Sequence, residues 1–309
     1  MINFCQFAIS GYVDKVLTKP YNEIKLVIPV DQARPNADVP EEIFMITGDI
    51  HMYTLGIDIG STTSKCAILK DGKDLIATSL VVGGMGTPGP DEAVRQVFEK
   101  SGLKREDMAM TIATGYGRTR YKGSDMDMSE LSCHAMGAHH VFPTVRTVID
   151  IGGQDAKLIS LDERGRMKDF LMNDKCAAGT GRFLDVMANI LQLDVNDLGK
   201  LAAQADKPAA ISSTCTVFAE SEVISQLANG VTTPNLVAGI CASVSSRVAA
   251  LAKRIGPTPD ICMSGGVAQN GGVLSCMEKE LGTKILVSPM AQLFGALGAA
   301  YFAYEKAPK

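Results

Sequence analysis

The sequence predicts an α/β protein made of two duplicated lobes with a cleft between them. Its length of 309 residues corresponds to about two domains at roughly 150 residues each. Two segments, Ile57–Leu69 and Ile149–Leu161, align without gaps and share an Asp, a Gly and a Lys at matching positions. Each segment starts as a β-branched apolar run, turns at glycine and continues as a second apolar run, which is the pattern of a β-hairpin.

The two hairpins supply the first elements of the lobes. We predict strands over Tyr53–Ile59 and Cys66–Leu69 in the first copy, and over Val145–Ile151 and Lys157–Leu161 in the second. Val, Ile and Thr favour strands because their branched side chains pack well on a pleated surface. In each copy an Asp lies near the end of the first strand, immediately before a tight glycine turn. The same chemistry is therefore expected at both turns.

Four regions follow from this arrangement. They are an N-terminal extension (1–51), lobe I (52–144), lobe II (145–290) and a C-terminal helix that packs back toward lobe I (291–309). The extension alternates short apolar pieces with prolines and has no helical period. The codons for Gly48–His51 can contain a ribosome-binding sequence, so one hypothesis is that Met52 is the natural start and the extension is translated leader. The alternative is an ordinary appendage, since termini are often dispensable.

Composition argues against several classes of protein. Lys and Arg number 30 against 34 Asp and Glu, a formal net charge of −4, so no overall positive field attracts nucleic acid. The most apolar stretch, Leu236–Ala252, contains three serines and an arginine, which disfavours a membrane span and favours a buried helix. No export signal is recognisable, so a cytoplasmic location is expected. Eight cysteines without a CxxC pair argue against a disulfide scaffold or a zinc ribbon.

The two glycine turns carry the residue types of phosphate-binding loops. Glycine allows close backbone approach, hydroxyl and N–H groups donate to phosphate oxygens, and carboxylates hold Mg²⁺ or position a water. One copy alone is equally well explained by a plain hairpin with an Asx-type turn, but two aligned copies favour phosphate. The candidate residues are Asp58, Gly60, Ser61, Thr62, Thr63, Ser64 and Lys65 in the first loop, and Asp150, Gly152 and Gly153 in the second.

Two further glycine-rich segments follow. Met263–Asn270 comes after a short apolar run, and Gly295–Ala300 consists of small residues that permit close helix packing; each alone is a weak signal. Their order after the two Asp–Gly loops resembles the actin, Hsp70 and sugar-kinase superfamily, in which two similar (ribonuclease H-like) lobes clamp a nucleotide. The residues that this resemblance places near adenosine are Gly265, Gly266, Gln269 and Asn270.

Two cysteine contexts give a narrower resemblance. Met128–Ala138 and Asn173–Asp185 are similar to the cluster-ligand segments of the activators of 2-hydroxyacyl-CoA dehydratases, and the similarity extends over residues 53 to about 306. The resemblance implies a homodimeric ATPase that takes an electron from ferredoxin or flavodoxin and donates it to a partner dehydratase. It also implies ATP and Mg²⁺ in the cleft and one 4Fe-4S cluster per homodimer, held by Cys133 and Cys176 of each subunit.

The resemblance also implies roles for cleft residues. Asp58 and Asp150 would serve Mg²⁺ and water positioning, and Gln154 and Glu220 are weaker candidates for orienting the attacking water. A shared cluster agrees with simple counting, because a 4Fe-4S cluster takes four thiolates and the cysteines of one chain are widely scattered. Two cysteines from each of two subunits would supply the four.

Other interpretations stay open. Free cysteines usually act as small apolar core residues, and we expect this of the other six, although Cys215 is less clear because its surroundings are polar. His134, His139 and His140 are poorly spaced to share a metal on one helix face, so packed or solvated histidines are expected. The main alternative function is a small-metabolite kinase of the same fold without iron. A chaperone-like ATPase is disfavoured because it would need a long peptide-binding domain after the lobes.

Overall fold

Two five-stranded sheets organise the described part of the chain, which in this computed structural model comprises residues 51–173, 176–212 and 215–308. The first sheet contains β1 (Tyr53–Ile59), β2 (Thr63–Lys70), β3 (Asp74–Val82), β4 (Met108–Thr114) and β5 (Met126–Asp127), in the spatial order β3-β2-β1-β4-β5. The second contains β6 (Thr147–Ile151), β7 (Ala156–Leu161), β8 (Met167–Asn173), β9 (Ile261–Ser264) and β10 (Ile285–Leu286), in the order β10-β9-β6-β7-β8. Residues 1–50, and with them the hypothesis of a translated leader, lie outside the described residues.

The two sheets repeat the same pairing around equivalent strands. β1 and β6 each pair antiparallel with the next strand and parallel with a later one, β4 for β1 and β9 for β6. The register also repeats, because Asp58 lies opposite Lys65 and Asp150 lies opposite Lys157. Both predicted hairpins are therefore confirmed, although β2 already begins at Thr63 and β6 begins only at Thr147.

Helices cover the sheets and connect them. They are α1 (Gly89–Ser101), α2 (Glu130–Val141), α3 (Gly181–Ile190), α4 (Leu198–Ala202), α5 (Thr216–Ala228), α6 (Thr233–Ile255), α7 (Gly271–Leu281) and α8 (Phe294–Lys306). The Asn270 side chain caps α7 by accepting hydrogen bonds from the backbone N–H groups of Gly272 and Val273. The segment after β9 forms a short 3₁₀ helix over Gly266–Gln269 and then enters α7.

Helix α8 packs closely on the first sheet. It touches β1, β2 and β4 and also lies against α2. The Thr54 hydroxyl donates to the carbonyl of Ala300 at 3.0 Å, and a side chain at Gly56 would overlap the backbone of Ala296. Small residues on both elements make this close contact possible. The lobe boundaries near residues 144 and 290 stay predictions.

Helix α6 is the described helix that is long and apolar enough to cross a membrane by length and composition. However, 67% of its apolar window is buried inside the protein. Its residues Val237, Ile240 and Val244 belong to the core that also contains the inner face of β6 and β7. The burial identifies α6 as a core helix, as predicted for Leu236–Ala252.

Candidate functional site

A cleft of about 730 Å³ is lined by both hairpin loops, the segment after β9 and part of α3. It gathers most of the residues that the sequence predicts to bind nucleotide. They are Asp58, Gly60, Ser61, Thr62, Thr63 and Lys65 from the first hairpin, Asp150, Gly152, Gly153 and Gln154 from the second, and Gly265, Gly266, Gln269 and Asn270 after β9. The duplicated loops thus converge on one cavity.

Two predicted residues do not line this cleft. Ser64 is wholly buried, and its hydroxyl donates to the carbonyl of Gly83 at 2.7 Å. Successive side chains of a strand point to opposite faces, so Ser64 turns away when Lys65 faces the cavity. Glu220 lies on α5, which contributes nothing to the cleft lining. We therefore remove Ser64 and Glu220 from the candidate site.

Each hairpin places a lysine against its aspartate. Lys65 Nζ lies 3.3 Å from Asp58 Oδ2, and Lys157 Nζ lies 3.3 Å from Asp150 Oδ2. The pairs arise because each lysine sits directly across the ladder from its aspartate. The Lys65 side chain is 13% exposed and that of Lys157 only 2%. Lys65 is therefore accessible to a phosphate in the cleft, whereas Lys157 is enclosed by protein.

Carboxylates surround the enclosed lysine. Besides Asp150, Lys157 Nζ contacts Glu130 and Asp155, each at 2.8 Å. Ligand atoms of Glu130, His134 and Asp150 lie within 4.8 Å of one another, but the Lys157 ammonium already supplies a cation to both carboxylates. The sequence analysis missed Lys157 as a site residue, although its alignment with Lys65 was the available signal.

The charges of this group are set by its neighbours. Burial acts to raise the pKa of Asp150, but His134, Lys157 and the Ser264 hydroxyl hold that pKa well below its usual range. Burial likewise opposes the charged form of Lys157, yet the three carboxylates around it raise its pKa above the ordinary value. Both groups are therefore charged at neutral pH, and Asp150 presents an ionised carboxylate to the cleft.

The loops of the two hairpins approach each other closely. A Cβ at Gly153 would lie 2.7 Å from the hydroxyl oxygen of Thr62 in the opposite loop. Gly265 has φ +84°, and a Cβ there would lie 3.1 Å from Asp150 Oδ1. Gly265 therefore needs glycine for its backbone conformation and for space, and a side chain at Gly153 would have to displace the Thr62 side chain.

Cys133 does not lie where a shared cluster needs a ligand. It is fully buried in α2, and a side chain at Gly298 of α8 would overlap its carbonyl oxygen. Burial raises the pKa of the Cys133 thiol to about 12, which disfavours the thiolate that iron requires. The prediction that Cys133 binds the cluster is inconsistent with this position, because its side chain is enclosed among Ile112, Met136 and residues of α8, where no partner subunit reaches it.

Cys176 and Cys215 occupy different surroundings. Both are partly exposed. Cys176 lies ahead of α3, where the Asn173 side chain donates to its carbonyl at 3.1 Å, and Cys215 immediately precedes α5. The helices α3 and α5 are in contact. Sequence reasoning left Cys215 undecided, and its polar surroundings were the signal. By contrast, Cys66, Cys241 and Cys262 are buried, as expected for core residues.

Known proteins resemble the chain over nearly all of its described length. The (R)-2-hydroxyglutaryl-CoA dehydratase activating ATPase of Acidaminococcus fermentans is 61% identical over 259 residues, which cover 84% of this chain and 99% of that protein. The activator of the 2-hydroxyisocaproyl-CoA dehydratase from Clostridium difficile, solved with bound ADPNP, has a TM-score of 0.81 at 52% identity and covers 83% of this chain and 96% of its own.

A distant structure confirms the fold class. A ROK family glucokinase from Streptomyces griseus, solved with glucose and AMPPNP, has a TM-score of 0.51 at 14% identity and covers 82% of this chain and 99% of its own. At that identity the likeness concerns the fold alone, and it agrees with the predicted actin-like, sugar-kinase-like lobes. The sequence pattern of the BadF/BadG/BcrA/BcrD ATPase family matches residues 55–303. The duplicated loops, their shared cleft and this match show that the chain belongs to the BadF/BadG/BcrA/BcrD ATPase family.

Proposed function

We propose that this protein hydrolyses ATP and delivers one electron to a 2-hydroxyacyl-CoA dehydratase, and that it does so in the cytoplasm. The observation that carries the proposal is the single cleft built from two Asp–Lys hairpins. The 61% identical relative is named for (R)-2-hydroxyglutaryl-CoA dehydratase, so this enzyme is our first choice of partner. Ferredoxin or flavodoxin is the proposed source of the electron.

Different residues of the cleft bind different parts of the nucleotide. The backbone and hydroxyls of Gly60–Thr63 and the backbone of Gly152–Gly153 bind phosphate, with Lys65 adding a positive charge. Gly265, Gly266 and Gln269 lie beside adenosine. The carboxamide oxygen of Asn270 is committed to capping α7, so Asn270 offers its amide nitrogen to the nucleotide.

The same cleft fits Mg²⁺. The carboxylates of Asp58 and Asp150 line it, and oxygen is the ligand type that Mg²⁺ prefers. These two residues would hold the ion, directly or through water, and the ion would neutralise phosphate charge. Gln154 lines the cleft beside Asp150 and would orient the attacking water.

The exposed cysteines fit a cluster shared by two subunits. Cys176 and Cys215 of each subunit would together give the four thiolates that a 4Fe-4S cluster takes, and the bound cluster would supply a one-electron redox centre. Beside Cys215, α5 exposes Val217 at 64% and Phe218 at 67%. Apolar side chains this exposed next to a ligand support a surface that a second copy covers.

Backbone hydrogen bonds connect the phosphate site to the cysteine segment. The N–H groups of Gly181 and Arg182, in the first turn of α3, donate to the carbonyls of Gly152 and Gly153, each at 2.8 Å. A shift of the second phosphate loop would therefore move α3, the helix that follows Cys176. A coupling of roughly 1 to 3 kcal/mol between two sites would change a one-electron potential by about 40 to 130 mV.

We expect Gly153→Val to weaken ATP binding at least tenfold, because the branched side chain would strike Thr62 and separate the two loops. Titration with a fluorescent ATP analogue measures this. The control is Gly271→Val, since a Cβ at Gly271 meets no atom within 4 Å and this residue does not line the cleft. Unchanged binding in Gly153→Val would contradict the phosphate role of the loop.

The decisive experiment is an iron count combined with subunit mass and ATPase activity in anaerobically purified protein. We expect about four irons per dimer, ATP hydrolysis, and reduction-dependent activation of a dehydratase. A protein without iron that phosphorylates a small metabolite would establish the kinase alternative. Eight irons per dimer, or a full cluster in a monomer, would refute the shared cluster while leaving the ATPase assignment intact.

A further inference from the structure

Polar contacts from three different elements fix the Asp150 carboxylate: hydrogen bonds from two of them and an ion-pair contact from the third. Lys157 on β7 donates to Oδ2 at 3.3 Å, and Ser264 at the end of β9 donates to Oδ1 at 2.5 Å. The third partner is His134 on α2, whose Nδ1 lies 3.3 Å from Asp150 Oδ1 and 3.2 Å from Ser264 Oγ. His134 is 4% exposed and lines the cleft, so it is neither a surface histidine nor a remote core residue.

The other side of the imidazole faces the first aspartate. A Cβ at Gly295, in the first turn of α8, would lie 2.9 Å from His134 Nε2 and 2.8 Å from Asp58 Oδ2. Both atoms therefore border the same small space. His134 stands between the two duplicated aspartates, one from each sheet, and α2 holds it there from outside both hairpins.

We propose that His134 is a positioning residue for ATP hydrolysis, which fixes the orientation of the Asp150 carboxylate together with Ser264. The proposal rests on the proposed ATPase function. A carboxylate rotates freely about its Cβ–Cγ bond unless donors hold both oxygens. Here Lys157 holds one oxygen, and Ser264 and His134 hold the other. A carboxylate locked before the reaction needs no reorganisation when Mg²⁺ or water must be placed.

This arrangement predicts which kinetic constant a substitution of His134 changes. The loop backbones, the loop hydroxyls and Lys65 make the proposed phosphate contacts, and His134 makes none of them. Loss of the imidazole should therefore lower kcat while leaving nucleotide affinity unchanged. If His134 had only a packing role, its substitution would lower stability, or would change nucleotide binding and turnover together.

The test compares His134→Leu with His134→Asn in anaerobic holoprotein. Leucine fills the space without a donor, whereas the asparagine amide can replace the Nδ1–H. We expect His134→Leu to lower kcat for ATP hydrolysis at least tenfold with KM within about twofold, and His134→Asn to recover most of the loss. Binding of a non-hydrolysable ATP analogue, with and without Mg²⁺, should match the unsubstituted protein. The control is His140→Asn on the same helix. His140 is exposed, and its ring stacks on that of Tyr301 with the ring centroids 3.4 Å apart.

A double substitution adds a second readout. Ser264→Ala should lower kcat by itself, and combining it with His134→Leu should cost less than the product of the two single effects, because both act through one oxygen. Unsubstituted protein that fails to hydrolyse ATP would overturn the proposed function. Active unsubstituted protein, with His134→Leu at full kcat or with asparagine as poor as leucine, would overturn the positioning role alone.

Discussion

We expect Cys176→Ser protein to purify anaerobically without iron and without visible absorption, and to transfer no electrons to a dehydratase. One substitution per chain removes two of the four proposed cluster ligands from a dimer, so no partial cluster should persist. Because Cys176 is a partly exposed residue ahead of α3, serine should leave the fold intact. Iron analysis, the visible spectrum, a dehydratase-activation assay and thermal unfolding measure the four expectations.

The second ligand is decided by a matched pair of variants. We expect Cys215→Ser to lose the cluster as Cys176→Ser does, and Cys133→Ser to retain it with a stability loss of about 1 to 3 kcal/mol from burying a hydroxyl. Cys276→Ser, at a partly exposed cysteine of α7, serves as the neutral control. Retained iron in Cys215→Ser, with loss of iron from folded Cys133→Ser, would restore the ligand pair implied by the sequence.

We expect Asp150→Asn to lower kcat for ATP hydrolysis at least tenfold, equivalent to about 1.4 kcal/mol in the barrier. Asparagine keeps the size of the side chain but removes the negative charge that would hold Mg²⁺ and position water. The Cys176 segment is untouched, so the cluster spectrum should be unchanged. Steady-state phosphate release measures turnover, and titration with a non-hydrolysable analogue separates binding from hydrolysis.

The control is Asp169→Asn. Asp169 is exposed on β8, and its side chain accepts a hydrogen bond from the adjacent N–H of Phe170. It lies on the same sheet as Asp150 and does not line the cleft, so turnover should stay at the level of the unsubstituted protein. Equal turnover in Asp150→Asn and Asp169→Asn would remove Asp150 from the catalytic residues.

Much of the fold could be predicted because it is repeated. The gapless alignment of Ile57–Leu69 with Ile149–Leu161 fixes both hairpins, and strand pairing then places Asp58 and Asp150 opposite their lysines. Boundaries were less accurate, as at Thr63, because the tightness of a loop is not encoded in apolar periodicity. The cleft followed from the duplication, since equivalent loops of two similar lobes meet across it.

What the sequence could not predict at the site concerns side chains whose surroundings come from distant parts of the chain. Cys133 is buried in part by α8. His134 contacts Asp150 and Ser264, and Ser264 lies 130 positions away in the sequence. A cysteine beneath a helix and a cysteine ahead of one look alike in a motif. The two cysteines differ in exposure, since Cys133 is buried and Cys215 is partly exposed. Residue spacing in the sequence does not reveal this difference. The same holds for Glu220, because the sequence does not show that α5 contributes no residue to the cleft lining.

The contact between α8 and β1 also bears on how the protein is made. Thr54 and Ala300 are 246 positions apart in the sequence, so β1 leaves the ribosome long before the helix that covers it has been translated. Until then the surface of β1 around Gly56 is uncovered, and Gly295 does not yet pack against Asp58. Contacts this distant in sequence form slowly, and apolar surface exposed in the meantime promotes aggregation. The nascent chain should therefore depend on chaperones until α8 has emerged.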